Sequence, residues 1–340
     1  MKVRRVFKML GLVGLCLLCS AVLTVPTVQA AKTIRVATVA LPETTIYQGL
    51  EKWQKVLKEQ SKGKLEIKIL GRAVMGGDRE MIEGCRLNTL DAAVISGSVL
   101  ATIIPQYFMV AMPYFFNDHK EANAYLDGAP GQKLLGMLNE KDIVGLGWST
   151  WSFRGIWNNV RPITKPEDMQ GLKIRTLETP MDMSIVTYMG GISTPMAWSE
   201  CLLGLRQGTV DGIATTYGLG YALKLYELAK FASQTKHYYE PAPLIMSKKL
   251  FDEFTPEEQK IIRKSAAEAM QWTRMEQMKV DEASQKLLEG KGTKVNSLTP
   301  EAFNAFREKT KPVYEQFRAK IGPEFMDEST AFVKAFREKK

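Results

Sequence analysis

The chain contains 340 residues, of which 45% are hydrophobic, and it carries a formal net charge of +9. Its basic residues are spread along the sequence without a block of lysine and arginine, so nucleic acid is not an expected partner. Its two histidines and four cysteines do not have the spacing of zinc ligands, and no metal or other cofactor is predicted.

Residues 1–30 have the pattern of a cleavable export signal. A basic start made by Lys2, Arg4, Arg5 and Lys8 is followed by a charge-free, mainly apolar run, and small residues precede a predicted cleavage site after Ala30. These four basic residues account for the difference between +9 for the whole chain and +5 for the mature one. The alternative is an uncleaved membrane anchor, although the apolar run is short for a spanning helix. The mature chain still exceeds the usual size of one core, which suggests two domains.

The first part of the mature chain alternates predicted strands with predicted helices. Residues 33–37 and 64–69 alternate apolar and polar side chains, which predicts two strands with a helical pattern between them. A second helix is predicted from about Asp78, and residues 92–95 are typical of a buried strand. This order predicts an α/β sheet covered by helices.

The segment 92–116 carries no charge over 25 residues, and a membrane span is one interpretation of it. Polar and helix-breaking residues interrupt the run, among them Ser96, Pro105 and Pro113. A buried strand followed by a packed loop and helix is therefore the favoured interpretation.

Two segments 120 residues apart, 84–91 and 204–211, resemble each other. Glycine, arginine, threonine and aspartate match at four of the eight positions. In each copy a helix is predicted to end at a residue that tolerates positive φ, Asn88 or Gly208, and an apolar strand follows. Chance could produce so short a similarity, but two similar α/β lobes would also leave it.

If two lobes correspond in this way, Ser96 and residues 215–216 lie at the carboxyl ends of corresponding strands. Open α/β sheets bind ligands at that edge, and two facing lobes would place both edges on one cleft. The predicted lobes are residues 31–150 with about 241–270, and residues 151–240 with part of 271–340.

A long helix is predicted near the end of the chain. In the segment 255–258 the threonine cap, the N1 proline and the N3 glutamate all indicate a helix start. The helical pattern runs to Gly290, about 34 residues, or roughly 50 Å at the usual rise. Such a helix could brace both lobes.

No hydrolase, P-loop, zinc-protease or dinucleotide-binding motif occurs in the sequence. The amides at 75–78 could hold an anion at a helix start, although a tight turn capped by Asp78 is the simpler interpretation. Arg154 and Arg175 are more suggestive, because a guanidinium can hold a carboxylate through two parallel hydrogen bonds. Structural salt bridges would explain the same two arginines.

The remaining aromatic and cysteine residues are open to two interpretations each. Aromatic side chains at 148–157 could line a pocket, although such residues more often belong to a core. Cys85 and Cys201 are the cysteines of the mature chain, and they could form one disulfide. Two buried free thiols are the favoured interpretation.

An ordered series of segments resembles the extracytoplasmic solute receptors of tripartite ATP-independent periplasmic (TRAP) transporters, from about Ile34 to Leu288. The segments are residues 76–80, 89–93, 112–116, 161–175, 207–212 and 226–231. The resemblance implies an α/β, two-lobed periplasmic binding protein clamp with a long helix spanning both lobes. It also implies a periplasmic receptor, not an enzyme, that captures a small organic acid between its lobes and delivers it to a TRAP permease.

The resemblance also implies roles for individual residues. Arg175 would bind the ligand carboxylate, Arg154 would support it, and residues 43–45 would lie on the opposing lobe. The full set of predicted ligand-binding residues is Arg175, Arg154, Thr215, Tyr217, Glu43, Trp151 and Ser96.

The sequence departs from the family after Gly212. Many members carry Asn-Pro there, and one branch carries Glu-Trp with a metal ion. Residues 213–217 differ from both patterns, and Ala214 cannot ligate a metal, so no metal is predicted.

The alternatives to a TRAP receptor are a receptor for a sensor or an ATP-driven importer, and a secreted α/β enzyme that uses Asp78, Glu43 or His237 as acid or base.

Overall fold

The computed structural model describes residues 31–339, so the predicted export signal at 1–30 lies outside the described residues. The strands are β1 (Lys32–Thr38), β2 (Leu65–Leu70), β3 (Ala92–Val94), β4 (Ile143–Asn158), β5 (Lys173–Thr176), β6 (Ile192–Pro195), β7 (Gly212–Thr216), β8 (Phe231–Gln234), β9 (Tyr239–Ser247) and β10 (Lys294–Ser297). The helices are α1 (Thr45–Gln60), α2 (Asp78–Arg86), α3 (Gly97–Leu100), α4 (His119–Asp127), α5 (Ala129–Met137), α6 (Pro180–Met189), α7 (Trp198–Arg206), α8 (Tyr217–Ala222), α9 (Lys248–Asp252), α10 (Pro256–Glu289), α11 (Pro300–Ile321) and α12 (Pro323–Glu338).

The strands form a ten-stranded sheet that consists of two half-sheets with the same plan. In the first half-sheet, β1 pairs in parallel with β2 and β3, and β3 pairs antiparallel with β9. In the second half-sheet, β5 pairs in parallel with β6 and β7, and β7 pairs antiparallel with β4. Strands β8 and β10 extend the second half-sheet from β4. The predicted α/β class is confirmed.

The two half-sheets share strand β4. Residues 143–153 of this strand pair with β9, and residues 154–158 pair with β7 and β8. A register shift between Thr150 and Ser152 marks the crossing, and Ser152 has a φ of 88°, which is uncommon outside glycine. The Ser152 hydroxyl donates a hydrogen bond to Asp281 of α10, which fixes the bulge to the long helix.

The two segments that resemble each other in sequence have the same backbone structure. Helix α2 ends before Asn88, with a φ of 57°, and α7 ends before Gly208, with a φ of 72°. The amides of Thr89 and Thr209 each donate to the glycine carbonyl five residues earlier, at 2.9 Å. Both predicted helix ends are therefore present, and each leads directly into a buried strand at the centre of its half-sheet.

Helix α10 has the predicted start and a length of 34 residues. The Glu258 amide donates to the Thr255 hydroxyl at 3.3 Å, and the Thr255 amide donates to the Glu258 carboxylate at 2.8 Å. The helix packs against α1 beside the first half-sheet, along β4, and against α8 beside the second. It spans both half-sheets, as predicted.

The uncharged segment 92–116 is buried strand, short helix and turn. Among residues 31–339, no helix combines the length and apolar content needed to cross a bilayer. Cys85 in α2 and Cys201 in α7 are buried free thiols.

Candidate ligand-binding site

A cavity lies where the carboxyl ends of strands from both half-sheets meet. Strand β4 contributes Trp151 and Arg154 to its wall. The rest of the wall comes from the first half (Val39, Asp78 and Ser96) and the second half (Leu177, Trp198, Thr215, Thr216 and Leu219). The two half-sheets therefore face each other across this cavity.

A second cavity lies beside the first. Trp151, Thr216 and Leu219 line both cavities, so the indole of Trp151 stands between them. Glu43, an exposed residue, lines only this second cavity, together with Gln277 of α10. Glu43 therefore lines only the second cavity, whereas Arg154 lines only the first.

The Arg175 side chain is buried behind the wall of the first cavity, with 1% of its surface exposed. Its Nε and Nη2 atoms donate to the Met196 carbonyl at 2.9 and 2.7 Å, and its guanidinium lies 5.3 Å from the ring centre of Trp198. Its Nη1 atom is buried and has no hydrogen-bond partner among the described residues. Burial, and the like charge of Arg154, lower the pKa of Arg175. A buried cation with an unused donor is a ready partner for an anionic ligand.

Arg154 is already engaged by the protein. Its Nε and Nη2 atoms donate to the Glu240 carboxylate at 3.2 and 3.1 Å, and its Nη1 atom donates to the Ala214 carbonyl at 2.8 Å. Burial opposes the charged form of Arg154, but Tyr238, Glu240 and Asp182 together raise its pKa. The charge of Arg154 is thus largely balanced, which leaves Arg175 as the less compensated cation beside the cavity.

The partner of Arg154, Glu240, is fully buried in β9. Ser98 donates to its carboxylate through both the amide, at 3.2 Å, and the hydroxyl, at 3.1 Å. The Tyr238 hydroxyl lies 2.9 Å from Glu240 and also donates to Asp182. Burial raises the pKa of Glu240, and the Arg154 charge opposes that rise. This network fixes Arg154 between α3, β9 and α6.

Asp78, the first residue of α2, places a carboxylate in the wall opposite the arginines. Its Oδ1 atom is buried without a hydrogen-bond partner in the described part of the chain. Burial raises the pKa of Asp78, while hydrogen bonding from Ser96 and the charges of Arg175 and Arg154 lower it. The cap of α2 is Gly77, whose amide donates to Glu80 at 2.8 Å, so the interpretation of Asp78 as the helix cap is wrong.

Residues 36–320 match the family described as bacterial extracellular solute-binding protein, family 7. The chain belongs to this family. Family 7 proteins bind solutes, so this chain is a solute-binding protein and not an enzyme.

Similar proteins bind several kinds of organic acid. The chain is 31% identical over 240 residues to the 2,3-diketo-L-gulonate-binding periplasmic protein of Escherichia coli, covering 71% of this chain and 72% of that one. It is 26% identical over 307 residues to the C4-dicarboxylate-binding periplasmic protein of Rhodobacter capsulatus, covering 90% and 92%. A TRAP periplasmic solute binding protein from Sulfitobacter sp. NAS-14.1, with bound β-D-galacturonate, matches with a TM-score of 0.84 and 31% identity, covering 89% and 100%. The likeness to such structures confirms the binding-protein fold.

The structure of this family 7 protein brings most of the predicted site residues together. Arg154, Trp151, Thr215 and Ser96 line the first cavity, and Arg175 lies directly behind it. Tyr217 is different, because it begins α8, its ring packs 5.5 Å from that of Trp157, and it lines neither cavity.

Sequence reasoning did not select Asp182, Trp198, Tyr238 and Glu240 as site residues, whereas it placed Thr216 at the ligand-binding edge of its strand. The available signal for Glu240 was an acidic residue inside an otherwise uncharged run at 238–247. An acid in such a run needs a buried partner, and Arg154 was the natural candidate.

The side-chain types of a catalytic triad meet at Ser152, His119 and Asp281, but their hydrogen bonds do not have the order that a triad requires. Ser152 and His119 both contact the same Asp281 carboxylate, with His119 Nε2 at 3.0 Å. A triad needs the histidine between the serine and the acid, so that it can accept the serine proton. The cluster instead links α4, β4 and α10 at the point where β4 crosses between half-sheets. His237, the histidine of the alternative enzyme hypothesis, is buried, and burial lowers its pKa to about 3.

Proposed function

We propose that this protein is a periplasmic receptor that binds a small organic acid between its two half-sheets and delivers it to the membrane subunits of a TRAP permease. The observation that carries the proposal is the buried Arg175 guanidinium, whose Nη1 atom has no partner among residues 31–339. A ligand carboxylate that accepts this bond would gain about 1.5–3 kcal/mol from each charged hydrogen bond.

The neighbouring Arg154 supports the same role without being the main anchor. Arg154 already donates to Glu240, so it offers the ligand few free hydrogen-bond donors. It contributes positive charge and shapes the cavity wall instead. The hydroxyls of Ser96, Thr215 and Thr216 and the indole of Trp151 provide polar groups for the rest of the ligand. Relatives that bind a keto sugar acid, a C4-dicarboxylate and galacturonate support a carboxylic acid as the ligand class.

The receptor cycle would use the shared strand as its hinge. The proposed lobes are residues 31–150 with about 241–270, and residues 151–240 with part of 271–340, each carrying one half-sheet. Ligand contacts from both lobes would favour the closed arrangement. The fraction of closed receptor rises only to the extent that the ligand binds the closed state more tightly than the open state. Export to the periplasm would rest on the signal at residues 1–30, with cleavage after Ala30.

The test is a thermal-shift screen of residues 31–340 against small organic acids and their amides. A bound ligand raises the unfolding midpoint by mass action, about 2.7 kcal/mol at 100 times the dissociation constant. We expect a shift with one group of acids, no shift with their amides, and loss of the shift in Arg175→Ala.

The matched control is Arg161→Ala, because Arg161 bonds to the Asp168 carbonyl at 2.8 Å and lies outside both cavities. That variant should keep the ligand-induced shift. If neutral compounds shift the protein and acids do not, or if Arg175→Ala keeps the shift, the carboxylate role of Arg175 is wrong. Uptake of the acid by cells that express the TRAP subunits with and without the receptor tests the delivery step.

A further inference from the structure

Two side chains of strand β4 line the same cavity although their spacing would separate them in a regular strand. Trp151 and Arg154 both line the first cavity. Successive side chains of a strand point to opposite faces of the sheet, so residues three apart also point to opposite faces. The shared cavity therefore requires an irregularity in this part of the strand.

The irregularity is the register shift of β4 against β9. Thr150 and Ser152 pair with two consecutive residues of β9, which leaves Trp151 without a partner in that strand. A bulge of this kind changes the direction of the side chains beside it. The bulge thus accounts for the presence of both Trp151 and Arg154 in one cavity wall.

The bulge contains a backbone conformation that needs support. Ser152 is buried and has a φ of 88°. A side chain makes this conformation costly, whereas glycine adopts it freely. Two hydrogen bonds hold the serine there, since its amide donates to the Thr150 hydroxyl at 2.8 Å and its hydroxyl donates to Asp281 of α10.

Asp281 is a firm anchor for the bulge. Its carboxylate also accepts a hydrogen bond from Gln277 Nε2 at 2.9 Å, and His119 Nε2 lies 3.0 Å away. Hydrogen bonds to an ionised acceptor are stronger than neutral ones, so this carboxylate joins β4 firmly to α10 and α4. Asp281 lines neither cavity, so it acts on a ligand only through the residues that it holds.

We infer that Asp281 is a positioning residue for ligand binding, because its bond to Ser152 stabilises the bulge that directs Trp151 and Arg154 into one cavity. Without that bond, Ser152 would relax from its positive φ, and the two side chains would lose their common direction. The inference goes beyond the proposed function and rests on it only for the organic acids that serve as probes.

The experiment measures dissociation constants by isothermal titration at pH 7, well below the unfolding midpoint of each variant. The probes are galacturonate, 2,3-diketo-L-gulonate and succinate, and the acid that binds wild-type protein most tightly is used throughout. Asp281→Ala and Ser152→Ala should each weaken binding about tenfold, because each removes the same charged hydrogen bond. The double variant should bind no more than about threefold more weakly than either single variant, since both residues act through one contact.

Glycine at position 152 separates a positioning role from a folding defect. Glycine adopts a positive φ without the cost of a side chain, so the bulge depends less on its anchor. Asp281→Ala combined with Ser152→Gly should therefore bind about fivefold more tightly than Asp281→Ala alone. A loss of binding that came from disruption of α10 would not be recovered by a change in β4.

The matched control is Glu276→Ala on the same helix. Glu276 pairs with Lys279, whose side chain is 70% exposed, and it lines neither cavity. This variant should bind the acid as wild-type protein does. Ser152→Ala probes the contact from the strand, so it decides the matter if Asp281→Ala does not fold.

Indole fluorescence gives a second measurement that needs no ligand. Trp151 is 6% exposed, and its emission is obtained by subtracting the spectrum of the matching Trp151→Phe variant. Asp281→Ala and Ser152→Ala should shift this emission to longer wavelength, because the indole leaves its buried position. Addition of Ser152→Gly to Asp281→Ala should reverse the shift.

The inference falls if Asp281→Ala or Ser152→Ala binds the acid as tightly as wild-type protein, if the two losses multiply, or if glycine at position 152 restores nothing. If only another acid from the thermal-shift screen binds wild-type protein, that acid is the probe. The proposed function fails separately, when no acid in that screen binds. The Trp151 emission then decides the inference, which is wrong if both alanine variants leave the emission unchanged.

Discussion

The two halves of the molecule have the same design and differ at a few side chains. Val36 pairs with Ala92 in the first half as Ile174 pairs with Gly212 in the second, so the next residues, Ala37 and Arg175, occupy equivalent strand positions. The first half thus has a methyl group where the second half has the buried guanidinium.

The helices that precede the central strands show the same relation. Helices α2 and α7 both have nine residues, and each of their first residues, Asp78 and Trp198, lines the cavity. Ser96 and Thr216 also line the cavity from equivalent positions, 120 residues apart. The same backbone arrangement therefore places side chains at the carboxyl edge of each half-sheet. The identities of these side chains make one cavity wall acidic and the other cationic.

The comparison also shows where the halves are not equivalent. The cationic wall depends on Glu240 of β9, which pairs with Arg154 across the crossing strand. The first half has no matching ion pair at the cavity among the described residues, because its charge there comes from Asp78 alone.

Glu240→Ala should destabilise the protein by about 3–5 kcal/mol, because it leaves Arg154 buried without its counter-ion. Urea denaturation of unliganded protein measures the loss. Glu328→Ala is the control, since it breaks an ion pair with Lys133 in which both side chains are almost half exposed, and it should change stability by less than about 1 kcal/mol. Equal losses in the two variants would show that the cationic wall does not depend on Glu240.

Gly208→Ala should destabilise the protein by about 1 kcal/mol, although nothing lies within 4 Å of the added methyl group. The cost is backbone strain, because Gly208 has a φ of 72°. Gly208→Asn should cost less, since the equivalent Asn88 already adopts a φ of 57°. If alanine were tolerated as well as asparagine in thermal denaturation, the two helix ends would not be equivalent in energy.

The smallest expected effect is a dependence of stability on pH that comes from Asp78. Because burial raises the pKa of this carboxyl above its ordinary value of 3.8, its ionisation opposes folding as the pH rises past that value. The stability of wild-type protein relative to Asp78→Asn should therefore be higher at pH 4 than at pH 7. The contribution of Glu240 is common to both proteins and cancels in the difference. Urea denaturation of both proteins at the two pH values measures this difference in unfolding free energy. A difference that is the same at both pH values, or larger at pH 7, would contradict the account.

Local patterns in the sequence predicted a large part of the fold. The start of α10 was predicted because Thr255, Pro256 and Glu258 satisfy the cap by themselves. The similar helix ends at Asn88 and Gly208 were predicted because a positive φ restricts the residue type.

Contacts between distant segments could not be predicted in this way. Glu240 is 86 residues from Arg154, and Asp182 is 56 residues from Tyr238, so no local spacing connects either pair. Tyr217 follows strand β7 directly, but it starts α8, and its side chain therefore turns into the core beside Trp157. Asp78 was visible as part of a helix start, but its position in the cavity wall depends on how the two half-sheets face each other.

The most direct test of the central claim, that Arg175 holds a ligand carboxylate, is a titration cycle with one acid and its amide on wild-type protein and on Arg175→Ala. Isothermal titration at pH 7 gives the four dissociation constants. The account predicts that wild-type protein prefers the acid by at least about 30-fold, and that Arg175→Ala binds the acid and the amide within about threefold of each other. An acid preference that survives in Arg175→Ala would contradict the account and would place the ligand carboxylate elsewhere.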